Sequence, residues 1–140
     1  MTAIQHIYIQ ILDDNPFYSK FLEHQIRQYL QQNFPDIESV FVVESYTEVD
    51  DFLANLKPEN SIVLVDYYLE NGVKGLELLP EIKKLSPEAK VIVMTTENNH
   101  EALVESLDTN IAGFVFKDEE TVKLCQPIFE KEFNRLLGNH

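Results

Sequence analysis

The sequence predicts an α/β domain: a doubly wound, five-stranded parallel sheet with helices on both faces. Three observations predict it. Apolar runs alternate with segments of helical period, which is the βα alternation of a parallel sheet. One run, Ile62-Val63-Leu64-Val65, is apolar throughout, as a strand buried on both faces requires. Four of the runs end in polar groups: Ile11-Leu12 in Asp13-Asp14, Ile62–Val65 in Asp66, Val91–Met94 in Thr95, and Phe114–Phe116 in Lys117. Open α/β sheets bind their ligands at the carboxyl ends of the strands, so the four polar sets would share one edge.

The elements follow in order. A first strand covers about residues 5–12, and the first helix begins at Asn15-Pro16, where proline suits the first turn. Its inner face reads Leu22, Ile26, Tyr29 and Leu30, and Asn33-Phe34-Pro35 ends it. A second strand covers about 39–44. Thr47 with Asp50 resembles a capping box for a second helix, whose apolar face is Val49, Phe52, Leu53 and Leu56. The third strand is about 61–66, followed by a turn at Asn71-Gly72. The third helix carries Leu76, Leu79, Ile82 and Leu85 and closes at Ser86-Pro87; Pro80 either kinks it or lies in a first turn that starts late. The fourth strand is about 90–95, and the fourth helix, about 98–108, turns Ala102, Leu103 and Leu107 inward. The fifth strand is about 112–117, and the fifth helix, about 119–137, buries Val122, Phe129, Phe133 and Leu136 and bends at Pro127.

The 140 residues fit one domain, 1–140, with a core of about 4–137. With 44% apolar residues the chain can bury a core without staples. Cys125 is the one cysteine, so no internal disulfide forms, and its apolar neighbours make it a packed thiol. The net charge of −13 argues against direct nucleic-acid binding, which needs clustered Lys and Arg. No run approaches the roughly 18 apolar residues of a membrane span. The N-terminus lacks the pattern of a signal peptide, so a cytoplasmic location is expected. His6, His24, His100 and His140 are scattered and read neither as phosphodonors nor as metal ligands.

Three carboxylates, a hydroxyl and an ammonium at one edge suit metal-assisted phosphoryl chemistry. Asp66 is the candidate nucleophile, since a carboxylate can attack a phosphoryl group to give an acyl phosphate. Clustered carboxylates would repel the incoming anion. A Mg²⁺ held by Asp13, Asp14 and Asp66 solves that problem. Lys117 can pair with a phosphoryl oxygen or with Asp66, and Thr95 can hydrogen-bond another oxygen. Positioning and charge neutralisation are most of what this reaction needs.

At this point the chain resembles the receiver domain of two-component response regulators, a flavodoxin-like (βα)5 fold. The matching stretches are ILDDNPF, SIVLVDYYL, GLELL, VIVMTTE and GFVFKD, from about Ile4 to Leu137. The resemblance implies Asp66 as phosphoacceptor and Asp13 and Asp14 as Mg²⁺ ligands, with the backbone carbonyl of Tyr68 as a further ligand. It implies Lys117 and Thr95 as the phosphoryl-contacting pair, and Thr95 with Phe114 as the switch pair. The face built by the fourth helix, fifth strand and fifth helix then changes its partner preference. A histidine kinase or histidine phosphotransfer protein would donate the phosphoryl group. The output target is unknown, and the family also allows a homodimer through that same face. Beyond phosphoryl acceptance and autodephosphorylation, no enzymatic turnover is expected.

Several positions depart from the family pattern. Glu70 stands where a proline is common, Gly75 falls one residue late, and Asp118 replaces a proline after the lysine. Thr96, beside Thr95, replaces a very small residue and is expected to narrow access to the phosphoryl group; Tyr68 and Glu97 flank the same pocket. Other functions fit less well. An Asp-nucleophile phosphatase would need a second acid where Tyr68 stands, and a cap domain. A flavin-binding protein would need Gly, Ser or Thr where Asp13-Asp14-Asn15-Pro16 stand. A degenerate receiver, acting as a phosphorylation-independent interaction module, rests only on Thr96 and the altered loop.

Overall fold

A computed structural model describes residues 5–96, 99–107 and 109–138. Glu97, His140 and the expected ends of the fourth helix at 98 and 108 lie outside the described residues. The strands are β1 (Ile7–Leu12), β2 (Phe41–Tyr46), β3 (Ser61–Asp66), β4 (Lys90–Thr95) and β5 (Gly113–Phe116). The α-helices are α1 (Pro16–Asn33), α2 (Val49–Asn55), α3 (Leu79–Leu85), α4 (His100–Leu107) and α5 (Thr121–Leu137). The strands form one parallel sheet in the order β2-β1-β3-β4-β5. The order reverses between β1 and β3, and the crevice at such a reversal is where doubly wound sheets bind ligands.

Each face of the sheet has its own core. On one side α1 brings Leu22, Ile26, Tyr29 and Leu30, and α5 brings Val122, Cys125, Phe129 and Phe133, onto Ile9, Ile11, Leu64 and Ile92. On the other side Phe52 of α2, Ile82 of α3 and Ala102 of α4 pack on Leu12, Val63, Val65 and Val93. Strand β3 is buried at every residue, as its unbroken apolar run predicts. The apolar faces expected for the first, second and fifth helices are therefore the observed ones, with Val49, Leu53 and Leu136 half-buried at their edges. Gln10, in the middle of β1, is fully buried on the α2 side. Its amide donates to the Asn55 carbonyl (2.8 Å) and to Glu44 (3.3 Å), and its oxygen accepts the Lys57 N–H (3.1 Å).

Four local expectations need correction. Strand β2 begins and ends two residues later than expected, because residues Pro35–Val40 form 3-10 turns and the strand pairs with β1 as far as Tyr46 opposite Leu12. That extension moves the start of α2, whose N-cap is Glu48 with no side-chain cap bond; Thr47 lies one residue too early to cap it. Asp50 and Asp51 instead sit in the first turn, where they complement the helix dipole. Leu76 belongs to a 3-10 segment, Gly75–Leu78, and Pro80 lies in the first turn of α3, the late-start alternative. In α4, Ala102 and Ser106 face inward while Leu103 and Leu107 are 45% and 73% exposed. Ala102 and Ser106 lie one turn apart, and the Ser106 hydroxyl donates to the Ala102 carbonyl (2.7 Å). Successive residues of a helix point about 100° apart, so turning Ala102 and Ser106 inward carries Leu103 and Leu107 round to the flank. Helix α5 runs without interruption through Pro127. Cys125 is fully buried in it, and burial pushes its thiol up to about 12.

Candidate functional site

Register brings the four strand ends together. Leu12 aligns with Val65, so Asp13 follows beside Asp66. Asp66 aligns with Met94 and Thr95 with Phe116, so Thr95 and Lys117 emerge next along the same edge. The first turn of α1 stiffens the acidic pair. The Asn15 side chain caps the N–H groups of Phe17 (3.0 Å) and Tyr18 (3.2 Å), and Asp13 Oδ1 accepts the Asn15 N–H (2.9 Å). These bonds satisfy donors that a helix start leaves free.

Asp13 is fully buried, Asp66 nearly so, and Asp14 half-buried. One oxygen from each of the three lies within 4.8 Å of the others. The Lys117 ammonium reaches Asp13 Oδ2 at 2.8 Å and Asp66 Oδ2 at 3.1 Å. The Asp66 contact is an aligned hydrogen bond, whereas Asp13 Oδ2 makes an ion pair and no aligned bond. One ammonium therefore faces three carboxylates. Burial, and then the negative charge of Asp13, push the Asp66 carboxyl up to about 6; Lys117 pulls it down without cancelling them. Burial pulls Lys117 down, but its contacts with Asp13 and Asp66 outweigh it and hold the ammonium above its ordinary value.

Thr95 is buried, and its Oγ1 accepts from the Asn99 amide (3.1 Å). The Asn99 oxygen in turn accepts the Ala102 N–H (3.0 Å) at the start of α4. Thr96 is exposed beside Thr95, Tyr68 is 49% exposed, and Phe114 is half-buried against the α2–α4 core. Gly75 is where close approach requires glycine: a Cβ there would lie 2.2 Å from the Asp66 carbonyl oxygen. The 3-10 turn Glu70–Gly72, between the paired residues Tyr68 and Lys74, replaces the loop shape that a proline at position 70 would give.

The structure adds residues that sequence reasoning missed. Tyr18 places its ring 4.8 Å from the Lys117 ammonium. Asn99 joins Thr95 to α4, and a polar residue just before a helical run was its available signal. Lys74 bonds Glu101 (2.9 Å) and Glu105 (3.1 Å), and Tyr67, buried next to Asp66, donates its hydroxyl to Glu105. The loop after β3 is thereby clamped to α4. A cavity of about 750 Å³ lies at the amino edge of the sheet and contains none of these residues; Lys83, Lys90 and Lys131 are among its walls. A smaller recess of about 510 Å³ is lined by Tyr18, Phe21, Lys117 and residues 118–120.

A doubly wound sheet with an acidic triad, a lysine and a threonine at its carboxyl edge defines a phosphoryl-accepting signalling domain. Residues 9–129 match the family described as response regulator receiver domain, and the chain belongs to that family. It is 25% identical over 122 residues to the nitrate/nitrite response regulator protein NarL of Escherichia coli (strain K12), covering 87% of this chain and 53% of NarL. The chain thus spans about half the length of that relative. Among solved structures it is similar to a CheY-like response regulator receiver domain protein from Methanospirillum hungatei JF-1 (TM-score 0.70, 24% identity, 96% of this chain and 100% of that one). It is also similar to the BeF3-activated DrrB receiver domain (TM-score 0.67, 21% identity, 90% and 97%). The chain is therefore a receiver domain of the two-component type, a unit of phosphorylation-switched signalling. No helix among the described residues is long and apolar enough to cross a membrane.

Proposed function

We propose that Asp66 is the phosphoacceptor, supplied by a histidine kinase or a histidine phosphotransfer protein, and that residues 1–140 act as one cytoplasmic receiver unit. The observation that carries this reading is the meeting of Asp13, Asp14, Asp66 and Lys117 in one largely buried cluster. A carboxylate oxygen of Asp66 bonds to phosphorus, the donor's P–N bond breaks, and its electron pair stays on the donor imidazole. Lys117 moves from the carboxylate to a phosphoryl oxygen. The Thr95 hydroxyl turns from accepting the Asn99 amide to donating to another phosphoryl oxygen. That movement withdraws a partner from the residue that caps α4, and Phe114 follows Thr95 inward. The exposed Leu103, Val104, Leu107 and Phe116 belong to the α4–β5–α5 face on which an output partner would read the change. Thr96 stands at the entrance and slows exchange of the phosphoryl group with water.

The residues fit a small divalent cation. Three carboxylates share one ammonium, and Asp13 Oδ2 is buried without an aligned hydrogen bond. Asp13, Asp14, Asp66 and the Tyr68 carbonyl would hold Mg²⁺, which when bound neutralises the site and polarises the phosphoryl oxygens. The test is intact-protein mass after incubation with acetyl phosphate, with and without Mg²⁺. The expected result is a Mg²⁺-dependent gain of one phosphoryl group that Asp66→Asn abolishes. An equal gain in Asp66→Asn would overturn the assignment.

A further inference from the structure

We infer that Tyr18 is a positioning residue for phosphoryl acceptance: its ring is a seat that holds the Lys117 ammonium at the site while that ammonium changes anionic partners. The inference rests on the reading of Asp66 as phosphoacceptor and Lys117 as its phosphoryl contact.

Lys117 has three close neighbours: Asp13 Oδ2 at 2.8 Å, Asp66 Oδ2 at 3.1 Å and the Tyr18 ring centroid at 4.8 Å. The two carboxylates are shared partners. Asp66 loses its negative charge at the oxygen that becomes the acyl phosphate, and both carboxylates would be drawn toward a divalent cation. The ring competes for neither role. An ammonium over an aromatic face is attracted by the ring quadrupole, and more strongly in a site shielded from water. The Lys117 side chain is only 14% exposed.

The ring is itself fixed from two sides. On the α1 side the Tyr18 N–H is bonded by the Asn15 cap (3.2 Å), in the turn that also anchors Asp13. On the other side its hydroxyl lies 2.6 Å from Thr121 Oγ1. Thr121 is buried, accepts the Asp118 N–H (2.9 Å), and has the Phe116 carbonyl within donating distance (2.8 Å). With its one proton spent on a carbonyl, Thr121 accepts the Tyr18 hydroxyl proton. Tyr18 is thus bonded to the turn that begins at Lys117. The ring and the lysine move as one unit, and the catalytic ammonium does not drift into the open recess that both line.

The test uses the full chain and acetyl phosphate at saturating Mg²⁺, with the phosphorylation rate read by intact mass. Tyr18→Leu removes the ring, and Tyr18→Phe keeps it while losing the hydroxyl. Tyr18→Leu is expected to slow the maximal rate about tenfold, and Tyr18→Phe, which keeps the ring but loses its bond to Thr121, to slow it less. In a Lys117→Ala background the Tyr18→Leu penalty should vanish, because the ring would have no ammonium to seat. An undiminished penalty in that background, a wild-type rate in Tyr18→Leu, or equal losses in both Tyr18 variants would overturn the inference. A second measurement needs no phosphate. The Lys117 ε-methylene protons should show a ring-current shift in metal-free protein, keep it when Mg²⁺ is added, and lose it in Tyr18→Leu. Loss of the shift on adding Mg²⁺ would overturn the seat. A wild-type chain that gains no phosphoryl group would instead count against the Asp66 reading, and the proton shift would still decide Tyr18.

Discussion

Asp66 is held in a state that the folded protein alone does not favour. Its carboxyl stands at about 6, against 3.8 in an ordinary setting, because of burial and the charge of Asp13. The folded state therefore binds this proton more tightly than the unfolded chain. The stabilisation from that proton is complete below pH 3.8 and is lost as pH rises through about 6. Above that window Asp66 costs about 2–3 kcal/mol in metal-free protein. Asp66→Asn should therefore raise Tm at pH 7.5 in the presence of chelator, by roughly 5 °C or more. The advantage should shrink as pH falls below 6, and a pH series of thermal melts checks it. Gly75 tests the other side of the same residue. Gly75→Ala sets a methyl group against the Asp66 carbonyl, so both Tm and acetyl phosphate labelling should fall; a normal labelling rate would mean the backbone yields elsewhere. Asp13, Asp14, Asp66, Thr95 and Lys117 were legible in the sequence because each terminates an apolar run, and a strand has only one carboxyl end. Tyr18 was not legible. Its distance from Lys117 depends on how α1 docks against the turn before α5, and no pattern in either segment encodes that docking.

Among the elements, α4 is where sequence and structure diverge most, and the physical reason is specific. Hydropathy alone points Leu103 and Leu107 inward. The helix instead turns Ala102 and Ser106 to the sheet, leaving Leu103, Val104 and Leu107 exposed. What holds this lightly packed helix is largely polar: the Asn99 cap, and the clamp from Lys74 and Tyr67 to Glu101 and Glu105. Elements held by few buried apolar contacts open at lower free energy than the core. Lys74→Met should thus speed amide hydrogen exchange across α4 and leave β1 and β3 unchanged. Equal exchange in both proteins would show that the clamp carries no load. Strands β3 and β4 have the expected boundaries because long apolar runs fix them. The start of α2 shifted because pairing with β1 drew β2 onward to Tyr46, an interaction between segments that no local cap signal records.

For the whole molecule, the −13 charge sets the background against which the site works. A chain this acidic repels itself, so any salt should stabilise it by screening. A divalent cation held by Asp13, Asp14 and Asp66 adds a site-specific gain that grows with its concentration. At matched ionic strength MgCl2 should raise Tm more than NaCl does, and Asp14→Asn should remove most of the difference. Equal effects of the two salts would argue that the triad does not select a divalent ion.

The buried amide of Gln10 bears on how the chain finds this fold at all. Along β1, Ile7, Ile9 and Ile11 face the α1–α5 side, while Gln10 and Leu12 face the other. Sliding β1 by one residue would exchange the two sets. The amide would then be pressed among Leu22, Ile26 and Phe129 without a partner, which costs about 1–3 kcal/mol. The Asn55 carbonyl and Lys57 N–H would lose their bonds as well. Aliphatic side chains on both faces of a buried strand mark its two sides only weakly, because one aliphatic residue fills a gap much as another of similar volume does. One glutamine gives β1 a way to tell its two sides apart, so a mis-threaded sheet is at a disadvantage before any of the site chemistry is assembled.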